Sequence, residues 1–247
     1  MMKKSILIVH PHDNSTSFLE RIKNHLINRF PNEVHYFNIK PNDISHAQCL
    51  EKIAAHPAGG IILFLGHGRS DRLFGSKGDL FENIEFVSKD ASDADPEKYY
   101  FNDNFINESN SQIFKEKKVI CLACKSNELI AEAAINNNAV SFLGFGDIPT
   151  STAEFQLKGE KNFTSSLVST MKAEVCYIIK TSLVHSISNG HSFEDFLNTI
   201  KFTTNQRIGF FLINAKWFRD RYLLADYLYF FKKEASLLGN KKINLLS

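Results

Sequence analysis

Long apolar runs are missing from this chain. A helix needs ~20 consecutive apolar residues to cross a bilayer, and stretches such as Ile208 to Ile213 fall far short of that. The first residues pass from Met-Met-Lys-Lys straight into a strand-like run, without the hydrophobic core and cleavage pattern of a secretory signal. No membrane association is expected, and the expected compartment is the cytoplasm. Cysteine is scarce and unpatterned. Positions 49, 121, 124 and 176 do not build a disulfide framework, so reduced thiols are expected. An excess of one charge is also missing: 29 Lys and Arg stand against 27 Asp and Glu, for a net charge of +2. That balance leaves no broad electrostatic footprint for nucleic acid. Internal repeats and low-complexity tracts are absent as well.

What is present is periodicity. The 247 residues suffice for one large α/β domain with a substantial core. Strands are expected at Ser5 to Val9, Val34 to Ile39, Ile61 to Leu65, Val119 to Ala123 and 139 to 145, with helices at Thr16 to Phe30, Ser45 to His56 and 127 to 136. Such alternation predicts a mostly parallel sheet covered on both faces. After Pro149 the pattern turns helical, over about 160–188, 193–206 and 216–237, with aromatic residues from Phe210 to Phe231. Residues 1–150 are read as the sheet core and 151–247 as a helical part of the same domain, packed on the sheet. An aromatic terminal helix that docks a partner is the other reading of that region. Between the third and fourth sheet strands, Arg69 to Lys118 reads as a polar surface insertion, with an Asp-rich run from Ser88 to Glu97 and a short helix near Asn102 to Phe114. It either recognises substrate or merely connects.

Two residues carry chemistry. His67-Gly68 follows the run ending at Leu65, and Cys124 ends the run Val119 to Ala123. Ligands bind outside the carboxyl ends of strands in open α/β sheets, so these side chains can meet there. Lys125-Ser126-Asn127-Glu128 reads as a Ser-capped helix start, whose N–H groups and dipole would favour a thiolate at Cys124 and could hold an oxyanion. Taken singly, a Cys or a His is more often structural; finding both at strand ends favours a dyad. Cys121-x-x-Cys124 does not read as a redox pair, because residues three apart on a strand face opposite ways and lie roughly 10 Å apart. Zinc would need further ligands that the spacing does not supply. His10-Pro11-His12-Asp13 closes the first strand and permits a metal site with His67 as a third ligand, a weak signal because His-x-His alone is common. No metal or organic cofactor is expected.

The segments "IILFLGHG" and "KKVICLACKSNELIAEAAINNNAVSFLGFGDIP", spanning roughly Gly60 to Pro149, resemble the caspase-like cysteine peptidases, especially their bacterial CHAT-type branch. The family's His-Gly and Ala-Cys-x-Ser/Thr motifs map onto His67-Gly68 and Ala123-Cys124-Lys125-Ser126. Where the family often has Gly, this chain has Asn138, the next residue best able to stop a helix in the left-handed conformation. The resemblance implies a caspase-like three-layer sandwich with additional C-terminal helices. It implies Cys124 as nucleophile and His67 as general base and acid, with the backbone N–H groups of Gly68 and Cys124 as oxyanion donors. No third residue is assigned to orient His67. It also implies that the end of the first strand, at His12 and Asp13, lines the pocket for the residue preceding the cut. Asp147 either joins that pocket, favouring Lys or Arg, or is a turn residue before Ile-Pro. The activity expected is that of a thiol protease on a protein substrate, under a regulatory protein partner, in a circuit such as antiviral defence or programmed death. A non-catalytic interaction module with a relic dyad and a thiol hydrolase or transferase for small molecules are the alternatives.

Overall fold

The structure, a computed structural model, describes residues 5–82, 93–148 and 164–246. Along the chain run β1 (Ile6–Pro11), a 3-10 segment (Asn14–Leu19), α1 (Glu20–Arg29), β2 (Val34–Ile39), α2 (Asp43–Ala55) and β3 (Ile61–Leu65). The short β4 (Gly68–Arg69), β5 (Arg72–Leu73), α3 (Pro96–Tyr99) and β6 (Ile106–Asn107) come next, followed by a second 3-10 segment (Glu108–Phe114). The chain then forms β7 (Lys118–Leu122), α4 (Leu129–Asn136), β8 (Ser141–Gly144), α5 (Ser165–Ser188), α6 (Phe193–Ile213), α7 (Arg221–Glu234) and β9 (Ser236–Gly239). Six strands make the central sheet in the order β2-β1-β3-β7-β8-β9, parallel except for the antiparallel β9. The order reverses between β1 and β3, which is the switch point where open α/β sheets place their ligand crevice.

Period-2 alternation sorts the strand residues to two cores. Ile6, Ile8, Leu63, Ile120 and Leu143 face α1 and the C-terminal helices α5–α7. Leu7, Val9, Phe64, Val119 and Phe142 face α2 and α4. With both faces covered, the strands read as continuous apolar runs, and each fully buried Ile or Leu contributes ~1.5–3 kcal/mol. Helix α4 ends on Asn138 at φ +67, as expected. The N–H groups of Asn138 and Ala139 close it on the carbonyls of Ile135 and Ala134, a Schellman ending. No helix among the described residues is long and apolar enough to cross a membrane.

Several expectations are corrected. The helix expected from Thr16 starts as the 3-10 segment capped by Asp13 and becomes α-helical only at Glu20. The helix expected to stop at 206 continues to Ile213, and the one expected to reach 237 stops at Glu234, giving way to β9. The insertion after Arg69 is not a plain surface loop. Strands β4–β6 form a second, antiparallel sheet, and Leu73, Phe105, Ile106 and Phe114 are buried in the core that faces α2 and α4. The Asp-rich run Ser88 to Glu97 lies partly, and residues 149–163 wholly, outside the described residues.

Gly209 sits in the interior of α6 with nothing within 4 Å of where a Cβ would be. Gly209→Ala is therefore expected to raise stability by ~0.5–1 kcal/mol, by removing unfolded-state entropy without a clash. An unchanged or lower urea midpoint would contradict this.

Candidate active site

The register of the sheet brings the two chemical residues together. β3 and β7 pair in parallel as Ile61↔Lys118 through Leu65↔Leu122, an offset of 57 positions. The same offset separates His67 from Cys124 (124 − 67 = 57). Adjacent strands lie ~4.8 Å apart, and the Gly66 N–H continues the ladder to the Leu122 carbonyl at 3.3 Å. His67 and Cys124 therefore leave neighbouring strands side by side at the carboxyl edge, one strand from the switch point. Gly68 lies against the same spot: a Cβ built there would be 3.2 Å from the Cys124 carbonyl and 3.1 Å from that of Arg72.

Behind His67 stands Asp13, which takes a second task there. Asp13, expected to line a substrate pocket, caps the first 3-10 turn: its Oδ1 accepts from the N–H and from the Oγ of Ser15, both at 2.7 Å. Ser15 Oγ lies 2.6 Å from His67 Nε2, and Asp13 Oδ2 lies 3.6 Å from the same nitrogen. The carboxylate can only accept, so the hydroxyl proton points to Asp13 and Nε2–H donates to Ser15 Oγ. That arrangement leaves Nδ1 as the basic ring nitrogen. Lys172 on α5 donates to the Ser15 carbonyl at 3.3 Å and holds the turn in place. Ser15 was not foreseen; the Asp-x-Ser spacing of a capped turn after β1 was the available signal.

Cys124 lies in a turn, with Lys125 in the left-handed region at φ +52 and Lys125 N–H bonded to the Gly146 carbonyl at 3.0 Å. The expected Ser126 cap is not formed. Ser126 Oγ is buried, donates to the Cys121 carbonyl at 2.7 Å and accepts from Phe145 N–H at 3.0 Å, so it staples β7 to β8. α4 begins only at Leu129, five residues after Cys124. Instead, the thiol meets the backbone of Ile148. Sγ donates to the Ile148 carbonyl at 3.2 Å, and the Ile148 N–H donates to Sγ at 3.3 Å. The cavity at this point, lined by Thr16, Phe18, Gly66, Leu122, Cys124 and Ile148, measures about 10 Å³, room for about one water.

Glu234, at the end of α7, holds the surrounding loops. Its Oε2 accepts from Asp147 N–H at 3.2 Å, and its carbonyl accepts from Asn127 Nδ2 at 2.8 Å. The side chain is packed so closely on Gly146 that no Cβ fits there. Asp147 is thus engaged through its backbone by α7, and it is not among the residues lining the larger crevice beside His67. That crevice, of about 220 Å³, is lined by Asp13, Asn14, Ser15, Lys77, Gly78, Asp79 and Glu82. Lys77 pairs with Glu82 at 2.7 Å, and His12 Nε2 pairs with Asp79 at 3.1 Å. His10 turns away to the buried Thr16 hydroxyl at 3.4 Å, so the His-x-His pair does not converge. Among the described residues no cluster of His, Cys, Asp or Glu could hold a metal ion.

All four cysteines are free. Burial pushes the thiols of Cys49 and Cys176 up to about 12 and raises Cys121 as well; Cys124 alone of the four is partly accessible. Iodoacetamide near neutral pH is expected to alkylate Cys124 at least ~10-fold faster than the other three. Peptide mapping that finds Cys49 or Cys176 modified at the same rate would contradict this.

The fold and site together define a doubly wound α/β protein with a thiol, an imidazole and a carboxylate-backed hydroxyl at the edge of its sheet. No family model, curated protein or solved structure matches this chain.

Proposed function

We propose that the protein is a caspase-like cysteine endopeptidase, and one observation supports the reading: β3 and β7 pair at the same 57-residue offset that separates His67 from Cys124, with Ser15 and Asp13 against the imidazole. In this mechanism His67 takes the Cys124 proton at Nδ1 and the sulfur attacks the scissile carbonyl carbon. The tetrahedral oxyanion is held by the N–H groups of Gly68 and Cys124, the donors the family resemblance implies. The imidazolium then protonates the leaving amine. Water, activated by the same ring, hydrolyses the thioester and releases the acid product. Ser15 and Asp13 keep Nε2 protonated and stabilise the imidazolium, the task of the third member of a triad.

The charge of the crevice supports a substrate class. Asp13, Asp79 and Glu82 against Lys77 leave it a net −2, and Asp13 and Ser15 link it directly to His67. A Lys or Arg side chain before the scissile bond fits that charge. A regulatory partner, a cytoplasmic setting and a role in bacterial defence or cell death belong to the same proposal through the family resemblance.

The closed thiol gives the competing reading, a non-catalytic interaction module, its support: the Ile148 backbone already occupies Sγ. Cleavage of a diverse peptide library, with products mapped by mass spectrometry, separates the two. Cuts concentrated after Lys and Arg, with at least a ~10-fold weaker preference in Asp79→Ala, are expected. No cuts by the wild type, or cuts equally made by Cys124→Ala, would sink the peptidase.

A further inference from the structure

Helices α6 and α7 leave a trough on their outer side, of about 460 Å³, walled by Ile208 and Leu212 from one helix and Tyr222, Ala225 and Tyr229 from the other, with Asp226 and Lys232 among its polar lining. The lining repeats at helical spacing on both walls, and it is open to solvent: Tyr222 is 62% and Tyr229 47% exposed. Just past it, Ile213 and Trp217 stand 67% and 79% exposed. Contiguous apolar surface of this kind marks an interaction site in a folded protein.

Charge selects the occupant. Residues 201–233 carry seven cations, at 201, 207, 216, 219, 221, 232 and 233, and two anions, at 220 and 226. Their net charge is +5, against +2 for the whole chain, so the remainder is −3 (2 − 5). Arg207 is already paired with Glu174, and Asp220 accepts from Thr164 and lies 3.6 Å from Arg219. Among the described residues, the cations of this stretch outside those pairs are Lys201, Lys216, Arg221, Lys232 and Lys233, of which Lys232 lines the trough. Shape narrows the choice further. A concave slot between two helical ridges accepts a third helix through anchors at i, i+3/i+4 and i+7, whereas a planar bilayer needs a convex face. A second copy of this chain would bring like charges together.

We propose that the trough between α6 and α7 docks an amphipathic helix of an acidic partner protein, its apolar stripe between Leu212 and Tyr229 and its carboxylates over Lys216 and Lys232. The proposal stands on this surface alone and does not require the protein to be a peptidase.

The test uses the full chain and two labelled synthetic helices of about 18 residues, or five turns. Both carry the same Leu stripe, one with Glu and the other with Lys at the remaining positions. Fluorescence anisotropy is expected to show the Glu helix binding at least ~10-fold tighter than the Lys helix. Leu212→Asp and the double variant Lys216→Glu/Lys232→Glu should each weaken it at least ~10-fold. Leu212 and Lys216 are exposed and Lys232 is half-buried, and an unchanged thermal melt establishes that the variants are folded. Cys124→Ala should bind like the wild type, which separates this proposal from the fate of the dyad. Three results would overturn it: equal binding of the two helices, tighter binding to anionic phosphatidylserine vesicles than to the Glu helix, or self-association by sedimentation that Leu212→Asp abolishes.

Discussion

Cys124→Ala is expected to lower peptide cleavage by about 10⁴-fold or more while leaving the thermal melt near that of the wild type, because the sulfur forms the bond that makes the acyl intermediate. His67→Ala should fall comparably, and the double variant should be no worse than either single one. Groups that act as a unit in one step are grossly non-additive. Asp13→Asn tests the role that the structure gives this residue. If Asp13 merely lines a substrate pocket, its loss raises KM and leaves kcat alone. If it holds the Ser15–His67 arrangement, the asparagine amide can donate to Ser15 Oγ, turn the hydroxyl proton onto Nε2 and disfavour the needed tautomer. The expected result is a drop in kcat of roughly 10²–10⁴ with KM little changed. An increase confined to KM would leave Asp13 with the pocket role alone.

A second large effect is loss of stability in mild acid. Three histidines are held neutral by burial: His10 and His56, each lowered to about 4, and His46, also lowered. His46 shows what protonation would break. Its Nδ1–H donates to the Asn42 carbonyl at 2.7 Å, and its Nε2 accepts the Ser76 N–H at 3.0 Å. A second ring proton would leave the Ser76 N–H facing a donor. Above pH ~6.5 these rings are neutral in both the folded and unfolded chain and contribute no pH dependence. As pH falls below ~6.5 the unfolded chain binds protons that the folded chain refuses, so stability is lost on the way down to the folded values near 4. The slope is up to ~1.4 kcal/mol per pH unit for each ring, and the upper limit is ~3 kcal/mol each for His10 and His56. Urea unfolding across this window should show the fall, and His56→Gln should remove about one proton from the slope. A slope that His56→Gln leaves unaltered would contradict the assignment.

The parts of this fold set by local pattern were legible. Alternating apolar residues in β1, β3 and β7 have both faces buried, so they stand out in any reading, and the equal spacing of register and dyad follows from them. The rest depends on tertiary partners. Ser126 has the residue type and position of a helix cap, but a buried carbonyl on Cys121 and an N–H on Phe145 claim its hydroxyl. β9 follows a helix directly and becomes a strand only because β8 offers an open edge. Strands of two residues, as in β4–β6, are too short to show a period. The Asp13–Ser15 pair reaches His67 across 52 positions, through the adjacency of β1 and β3, which no local spacing encodes.

The grip of Glu234 ties the end of α7 to the loop that carries Ile148. The helix is 14 residues long, ~21 Å at 1.5 Å per residue. Its outer flank carries Tyr222 and Tyr229, and its last turn is bonded to Asn127 and Asp147. Ile148, which stoppers Sγ, is the very next residue. The Glu234 side chain also lies against Gly146, leaving no room there for a Cβ. The loop from Gly146 to Ile148 therefore hangs between the end of that helix and the sulfur, tethered at each side.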